Sequence, residues 1–283
     1  MQERHLQERH LKGNGIPVHF YEESVPDDVE TVGVLVFNPA MGTKARFYEP
    51  LAKAFSAAGY HVLLHELRGN GISPLRASRR CDFGYKDLLQ DLHYLINEAK
   101  SRFGELPLVL GGHSLGGQLS LLYSAQHPAN ISQILLVACG TPHWSGFRGK
   151  QKWLLKVVPY LFTSSALAAG YFPGDRLGFG GIQGKTLILD WGHLAKRNQF
   201  KVTDDECDYE QALAQVDVPV KAFCFVSDPY APKAAVRKIV EKLPADQVQL
   251  QCLTNEEIGF KATHLNWVKH AEQLMPRFIQ ALR

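Results

Sequence analysis

Gly112-His113-Ser114-Leu115-Gly116 is the stretch of sequence that decides the fold, because it matches the G-x-S-x-G pattern of a serine at a sharp turn. An apolar run, Leu106 to Leu110, precedes it, and a segment of helical composition, Gln118 to Ala125, follows it. A serine at the apex of such a strand-to-helix turn is strained, and the two glycines avoid steric clashes around it. We therefore expect Ser114 to project its hydroxyl from the sheet as a nucleophile. A plain glycine turn is the alternative interpretation, but it gives no reason for a serine at the apex.

Strands and helices alternate along the chain on both sides of this motif. Leu88, Leu92 and Ala99 share one face of a predicted helix that covers the sheet. Nearly continuous apolar runs predict strands that are buried on both faces. These runs are Val18 to Tyr21, Val32 to Phe37, His61 to His65, Leu106 to Leu110, Ile131 to Ala138, Val218 to Val226 and Val248 to Leu253. The alternation indicates an α/β protein with a mostly parallel sheet between two layers of helices.

The regular alternation stops after Gly140 and resumes at Val218. We therefore predict a core domain made of residues 16–140 and 217–283, interrupted by a mainly helical insertion, residues 141–216, that forms a lid. Residues 1–15 are a polar leader with the pentapeptide QERHL twice, and we expect this leader to be frayed or helical. The aromatic residues of the insertion suggest a substrate with an apolar acyl or aryl group, although such residues often form an insertion's own core.

A serine nucleophile needs a base to remove its proton and an acid to orient that base, in the chain order Ser, Asp or Glu, His. His264 is the predicted base, since it lies in a turn after the last strand, whereas His270 is expected at the surface of a helix. Asp228 is the predicted acid, because it follows a strand at the edge where catalytic groups of α/β sheets gather. The alternative is that Asp228 only caps a turn. We interpret the acidic cluster Asp204 to Asp208 as a solvated face.

Two backbone N–H groups should stabilise the oxyanion of the tetrahedral intermediate. The residue after the nucleophile, Leu115, supplies one of them. The loop Asn38-Pro39-Ala40-Met41-Gly42-Thr43 follows a predicted strand, and Met41 is our expectation for the second donor. For substrate contacts we expect His113, beside the serine, and Trp144 and Trp153, from the insertion.

Composition excludes several other classes of protein. Lys and Arg number 31 against 28 for Asp and Glu, which gives no reason to bind nucleic acid. The five cysteines lack metal-ligand spacing, so we expect reduced thiols and no metal. No secretory signal and no apolar run long enough to span a bilayer is present in the 283 residues, and we therefore expect a cytoplasmic protein.

With these residues in place, the chain resembles the α/β-hydrolase superfamily over almost its whole length after Gly15. Glu66 to Ser73 is similar to the D-x-R-G-x-G-x-S turn of that superfamily, and Thr263 to Trp267 looks like the segment that carries its catalytic histidine. Within that superfamily the chain looks most like the lid-bearing serine aminopeptidase and monoacylglycerol lipase-like group and like uncharacterised bacterial hydrolases. The resemblance implies a sheet of about eight strands. The chain departs from the pattern at Pro39-Ala40, where most members have His-Gly, and at Glu66, where they have Asp.

The resemblance and the residues together lead to one main expectation. Ser114, His264 and Asp228 should hydrolyse a small-molecule carboxylic ester through an acyl-enzyme, without a cofactor. Acyl transfer, amide or peptide hydrolysis with the same residues, and a non-catalytic binding protein on this fold stay open as alternatives. An aspartate would replace Ser114 in a dehalogenase, so that activity is disfavoured. The sequence leaves the oligomeric state open between monomer and homodimer.

Overall fold

The computed structural model describes residues 6–13 and 15–283, and within them eight strands form one main sheet. The strands of this sheet are β1 (Gln7–Lys12), β2 (Pro17–Glu23), β3 (Gly33–Asn38), β4 (Tyr60–Glu66), β5 (Leu108–His113), β6 (Gln133–Val137), β9 (Val220–Phe225) and β10 (Val248–Leu253). Two further strands, β7 (Phe172–Pro173) and β8 (Ile182–Gln183), form a separate hairpin. The helices are α1 (Glu49–Ala57), α2 (Tyr85–Phe103), α3 (Leu115–Gln126), α4 (Gly149–Ala169), α5 (Gly174–Leu177), α6 (Lys185–Arg197), α7 (Tyr209–Leu213), α8 (Lys233–Val240), α9 (Asn255–Ile258) and α10 (Ala271–Leu282).

The order across the sheet is β1-β2-β4-β3-β5-β6-β9-β10. β2 runs antiparallel to both of its neighbours, and the other pairings are parallel. This confirms the mostly parallel sheet predicted from the apolar runs. Because the carboxyl ends of parallel strands meet at one edge, the residues that follow β3, β5 and β9 are brought to the same side of the molecule.

Helices cover both faces of the sheet. On one face α2 and α3 bury leucines against the strands, including Leu92 and Leu122. On the other face α1 and α10 contribute Phe55 and Phe278, whose rings stack with centroids 6.2 Å apart. The predicted helical face that contains Leu88, Leu92 and Ala99 is buried as expected. The central strands β3 and β5 are buried along their whole length, which explains their lack of polar alternation.

The first strand is a feature that the sequence analysis missed. β1 pairs antiparallel with β2 and places Leu11 opposite Val18, and Arg9 forms an ion pair of 3.3 Å with Glu22. The expectation of a frayed or helical leader is therefore wrong for residues 7–12, while residues 1–5 and 14 lie outside the described residues. β1 shows no apolar alternation because its side chains are mostly exposed, and its pairing comes from backbone hydrogen bonds. Charged side chains on such an edge strand discourage pairing with another chain.

The chain between β6 and β9 folds into helices α4 to α7 and the small hairpin of β7 and β8. Helix α4 packs against α6 through an aromatic cluster in which Phe162 contacts Phe172, Phe179 and Trp191, with ring centroids 5.0–6.1 Å apart. Part of the aromatic content of the insertion therefore forms its own core. Within the described residues, none of the helices is long and apolar enough to cross a membrane.

A buried polar network joins β3, β4 and α3 beneath the carboxyl edge of the sheet. The Asn38 amide donates to Ser120 Oγ at 3.1 Å, and its Oδ1 lies 2.9 Å from His65 Nδ1. His65 is completely buried, and desolvation lowers the pKa of its imidazole to about 3, with a smaller contribution from Arg68. His65 is therefore neutral in the folded protein, and its Nδ1–H donates to Asn38.

The depressed pKa of His65 predicts a loss of stability in mild acid. In the unfolded chain the imidazole of His65 is protonated below about pH 6.5, whereas in the folded protein it is protonated only below about pH 3. The free energy of unfolding therefore falls as the pH falls from about 6.5 to about 3. His65 alone should cost about 2 kcal/mol between pH 6.5 and pH 5. Urea unfolding of the parent and of His65→Gln at several pH values checks this. The variant should show a shallower pH slope, and parallel slopes would contradict the expectation.

Candidate active site

Ser114 lies at the apex of the turn between β5 and α3, as the sequence predicts. Its backbone has φ 53° and ψ −116°, a conformation that costs energy for any residue except glycine. The two flanking glycines make this turn possible. A Cβ on Gly112 would lie 2.3 Å from the backbone of Gly116, and a Cβ on Gly116 would lie 2.0 Å from the carbonyl oxygen of Asn38. The turn therefore tolerates no side chain at either position, and it directs the Ser114 side chain away from the sheet.

Asp228 and His264 are bonded to each other. Asp228 follows β9 and is 3% exposed, and its Oδ2 lies 2.8 Å from His264 Nδ1. Asp228 Oδ1 accepts hydrogen bonds from the N–H groups of Tyr230 at 2.8 Å and Ala231 at 3.1 Å. The geometry is thus compatible with both interpretations of Asp228, since one oxygen caps a turn and the other bonds the imidazole. With Nδ1 occupied, Nε2 is the nitrogen of His264 that is free for a partner in the cavity.

Ser114 and His264 line one cavity of about 610 Å3 at the carboxyl edge of the sheet. Met41 and Leu115 also line it, and among the described residues neither of their N–H groups has a protein acceptor. Leu115 opens α3, so its N–H is one of the unpaired donors of a helix N-terminus. His270 lies outside the cavity wall, stacked on Phe260 with ring centroids 4.0 Å apart.

The loop with Pro39 and Ala40 is held by bonds that compensate for its unusual sequence. The Ala40 N–H donates to the Tyr48 hydroxyl at 3.0 Å, and the Thr43 N–H donates to the Ala40 carbonyl at 3.0 Å, which closes a turn around Met41. Gly42 has φ 71°, and a Cβ there would lie 2.3 Å from the carbonyl oxygen of Gly180. The backbone of this loop is thus in direct contact with the insertion.

Glu66, the second departure from the superfamily pattern, supports the same loop from below. Its carboxylate accepts the N–H of Ala45 at 3.0 Å and the N–H of Ile72 at 3.4 Å. Burial raises the pKa of this carboxyl, against the opposing effect of the two backbone hydrogen bonds. The longer side chain of glutamate therefore still connects the turn after β3 with the turn after β4.

His113 does not contact the cavity, so the expectation that it binds substrate is wrong. It is completely buried, with Nδ1 2.7 Å from the Tyr48 hydroxyl and its ring edge-on to Trp267. Burial, and secondarily the neighbouring His264, lower its pKa well below the ordinary value for histidine. As the last residue of β5, a buried strand, it points into the protein while Ser114 turns outward.

Trp144 and Trp153 also lie outside the cavity wall, which corrects the second expectation about substrate contacts. The ammonium of Lys156 lies over both indole rings, 4.6 Å from the centroid of Trp144 and 4.3 Å from that of Trp153. Other residues of the insertion form the wall, and they were not predictable from sequence, because composition does not reveal which face of a helix turns toward a cavity. These residues are Pro142, Phe147, Gln151, Leu154, Leu155, Gly178, Phe179, Gly180 and Trp191.

The charge of the cavity wall is one-sided. Lys261 is a lining residue, and no Asp or Glu occurs among the described residues that line the cavity, since Asp228 lies behind His264. The insertion contributes mainly apolar side chains to the wall. The carboxyl edge of the sheet contributes polar ones, including the hydroxyl of Thr43 and the amide of Gln118. Within the described residues, no cluster of His, Cys, Asp and Glu is suited to hold a metal ion.

The chain is similar to known proteins both in sequence and in fold. The family model described as "Serine aminopeptidase, S33" matches residues 29–190, more than half of the chain. A Variovorax paradoxus protein described as carbamate hydrolase RutD is 29% identical over 43% of this chain and 42% of its own. Monoacylglycerol lipase of Mycolicibacterium smegmatis is 29% identical over 38% of each chain. The sn-1-specific diacylglycerol lipase ABHD11 of Mus musculus is 33% identical over 39% of this chain and 34% of its own.

These alignments span less than half the length of each of these relatives. Solved structures extend the similarity over the whole fold. A soluble variant of monoglyceride lipase from Saccharomyces cerevisiae has a TM-score of 0.72 at 15% identity, covering 98% of this chain and 96% of its own. Est1E from Butyrivibrio proteoclasticus with bound ferulic acid has a TM-score of 0.66 at 12% identity, covering 96% and 99%. At these identities the structures support the fold alone.

Proposed function

Because this chain belongs to the serine aminopeptidase S33 family of α/β hydrolases, we propose that it is a serine hydrolase that cleaves carboxylic esters of apolar acyl groups. The observation that carries the proposal is the 2.8 Å bond between Asp228 and His264, beside the cavity that His264 shares with Ser114. The names of the two lipase relatives agree with ester hydrolysis. The residues form a complete acid, base and nucleophile in the chain order of this fold.

In this proposal His264 Nε2 takes the proton of the Ser114 hydroxyl as its oxygen attacks the ester carbonyl. The carbonyl oxygen becomes an oxyanion, which accepts hydrogen bonds from the N–H groups of Met41 and Leu115. The tetrahedral intermediate then collapses: the ester C–O bond breaks, the imidazolium, stabilised by Asp228, gives its proton to the leaving oxygen, and the alcohol departs with Ser114 acylated. Water then attacks the acyl-enzyme with His264 again as the base, which releases the carboxylic acid and restores the serine.

The cavity favours an ester substrate over the N-terminal peptide bond that an aminopeptidase, the activity in the family's description, would cleave. An aminopeptidase has to recognise an α-ammonium group, and a buried or half-buried cation requires a carboxylate partner. The described lining residues include Lys261 and no carboxylate, so a cationic substrate would meet a positive charge. Leu154, Leu155 and Trp191 suit an uncharged acyl chain.

In this proposal the insertion acts as a lid over the active site. Its helices supply the apolar wall of the cavity above Ser114, and its loop at Gly180 touches Gly42 beside the proposed oxyanion donor. A small-molecule ester is the proposed partner of the protein. The cytoplasm is the proposed compartment, because the five cysteines are all described and all free, as is typical of a reducing environment.

A fluorophosphonate probe tests the proposal directly, because it phosphonylates only a serine that is activated by a base. The parent protein should be labelled at Ser114, located by peptide mass spectrometry, and His264→Ala should lose the label while remaining folded. A parallel assay with p-nitrophenyl butyrate and leucine p-nitroanilide separates the ester from the aminopeptidase substrate, with turnover expected for the ester alone. A folded parent that stays unlabelled, or is labelled at another serine, would refute the hydrolase.

Tyr48→Phe tests the support of the oxyanion loop. Removing the hydroxyl leaves the Ala40 N–H and His113 Nδ1 without their partner, which should lower the free energy of unfolding by about 1–3 kcal/mol. The Met41 N–H, the proposed oxyanion donor, should also be held less firmly. We expect kcat to fall by about tenfold with little change in KM, since this N–H stabilises charge that develops only in the transition state. Tyr123→Phe is the matched control, because the Tyr123 hydroxyl bonds His93 at 3.1 Å, outside the cavity wall. Equal kinetic effects of the two variants would refute this role of Tyr48.

A further inference from the structure

Helix α4 exposes an unusual amount of apolar surface. Six of the twelve large hydrophobic side chains that are exposed in the described chain lie on this one helix. Five of them, 54–66% exposed, share one side of its first turns at the helical spacing i, i+1, i+4, i+7 and i+8. We call these five residues the α4 face: Trp153, Leu154, Val157, Tyr160 and Leu161.

The α4 face contributes little to the packing of the fold, although the Lys196 ammonium of α6 lies over the Tyr160 ring, 5.0 Å from its centroid. The opposite side of the helix carries the packing, through the buried Pro159, Thr163 and Ala166 and through Phe162 in the aromatic cluster with Trp191. Thr163 additionally accepts a hydrogen bond from Lys196 of α6 at 2.8 Å. A large exposed apolar surface that contributes little to intramolecular packing marks a site of interaction with another molecule or with lipid.

The charge on α4 and in the sequence that flanks it has a single sign. Arg148, Lys150, Lys152 and Lys156 lie at and within the start of the helix, and the sequence from 141 to 174 contains no Asp or Glu. The Lys156 ammonium lies over the rings of Trp144 and Trp153, so it sits at the border between the charged and apolar surfaces. A helix with an apolar face, aromatic residues and flanking cations has the composition of an interfacial helix that binds anionic lipid headgroups.

The α4 face also adjoins the mouth of the cavity. Leu154 belongs to this face and lines the cavity, with 60% of its side chain exposed. Tyr230 and Leu265, which also line the cavity, are 62% and 46% exposed. The apolar surface therefore continues from the helix across the rim, so that a flat partner on the α4 face would meet the opening.

We propose that α4 docks this protein on the surface of an anionic phospholipid bilayer, with the α4 face among the headgroups and the four cations against lipid phosphates and carboxylates. A second copy of the chain fits less well. A twofold contact through this face would join two positively charged surfaces, since residues 141–174 supply no Asp or Glu to pair with the cations, and like charges at an interface disfavour association. A bilayer of opposite charge provides both the apolar layer and the anions. This docking goes beyond ester hydrolysis and does not depend on it.

Vesicle binding by the Ser114→Ala protein tests the docking without any contribution from turnover. Sedimentation with vesicles of phosphatidylcholine alone and of phosphatidylcholine mixed with phosphatidylserine measures the affinity for each surface. The mixed vesicles should bind at least about tenfold tighter, and added salt should remove much of the difference. Tryptophan fluorescence should shift to shorter wavelength on binding, because Trp153 is 66% exposed in the free protein.

Two pairs of substitutions on this background separate the apolar from the charged contribution. Trp153→Ser with Leu161→Ser should weaken binding to the mixed vesicles by at least about tenfold. Lys150→Gln with Lys156→Gln should reduce the preference for phosphatidylserine. Val32→Ser with Lys269→Gln is the matched control, since both residues are exposed and lie outside α4. Neither pair should change the thermal midpoint of unfolding by more than the control does.

Three results would overturn the docking. The first is no binding, or equal binding to the two kinds of vesicle. The second is unchanged binding after the Trp153 and Leu161 substitutions. The third is a concentration-dependent dimer in sedimentation velocity that these substitutions dissolve, which would make the α4 face a contact between copies of the chain.

Discussion

Ser114→Ala is expected to lower kcat for a short p-nitrophenyl ester by about 10⁶-fold, to a residual rate that comes from binding and the oxyanion donors alone. The loss is this large because no other atom in the proposed mechanism can form the acyl-enzyme. The free energy of unfolding should change by less than about 1 kcal/mol, since no hydrogen bond of the Ser114 side chain caps α3 and alanine meets the same backbone strain.

Ser227→Ala is the matched control for this substitution, because Ser227 is another serine in the cavity wall and, among the described residues, its hydroxyl bonds Asn255 alone. Its kcat should stay within about threefold of the parent. Steady-state kinetics with p-nitrophenyl butyrate and urea unfolding of both variants provide the measurements. A Ser114→Ala protein that retained a rate near that of the parent would exclude this residue as the nucleophile.

Asp228→Asn is expected to lower kcat by about 10⁴-fold through the tautomer of His264. The amide oxygen of the new asparagine has to accept the N–H groups of Tyr230 and Ala231, as Asp228 Oδ1 does now. Its NH2 group then faces His264 Nδ1, which can only accept. The proton of the neutral imidazole consequently moves to Nε2, where it blocks the uptake of the serine proton.

The same orientation predicts a small effect of Asp228→Asn on folding, because the two turn hydrogen bonds persist. The free energy of unfolding should fall by about 1–2 kcal/mol, measured by urea denaturation. Asp217→Asn is a suitable control, since Asp217 is exposed, bonds Gln247 and does not line the cavity. If Asp228→Asn and Asp217→Asn had similar kinetics, the acid would have to be sought elsewhere.

Local steric rules explain why the turn at Ser114 was predictable from sequence. The spacing of Gly112 and Gly116 is dictated by atoms that approach within 2.3 Å of the positions their Cβ atoms would take, so the pattern is visible in the sequence. The continuous apolar runs were equally informative, because β3 and β5 are buried on both faces. The positions of Asp228 and His264 followed from the rule that parallel strands bring their carboxyl ends together.

Tertiary contacts explain what the sequence could not reveal. β1 is a strand because it pairs with the free edge of β2. Its side chains are mostly exposed, so its sequence shows no alternation of apolar and polar residues that would predict a strand. His113 has the sequence position of a cavity residue, but its ring is directed inward to Tyr48. The exposure of Trp153 depends on how α4 rotates against α6, and helix composition alone leaves this rotation undetermined.

The contact between Gly42 and Gly180 couples two loops that are far apart in sequence. One is next to the proposed oxyanion donor Met41, and the other belongs to the insertion. Their backbones meet without an intervening side chain, so a shift of the hairpin changes the surroundings of the donor directly. By thermodynamic reciprocity, any ligand that favours one arrangement of the Met41 turn favours the matching arrangement of the hairpin by the same free energy.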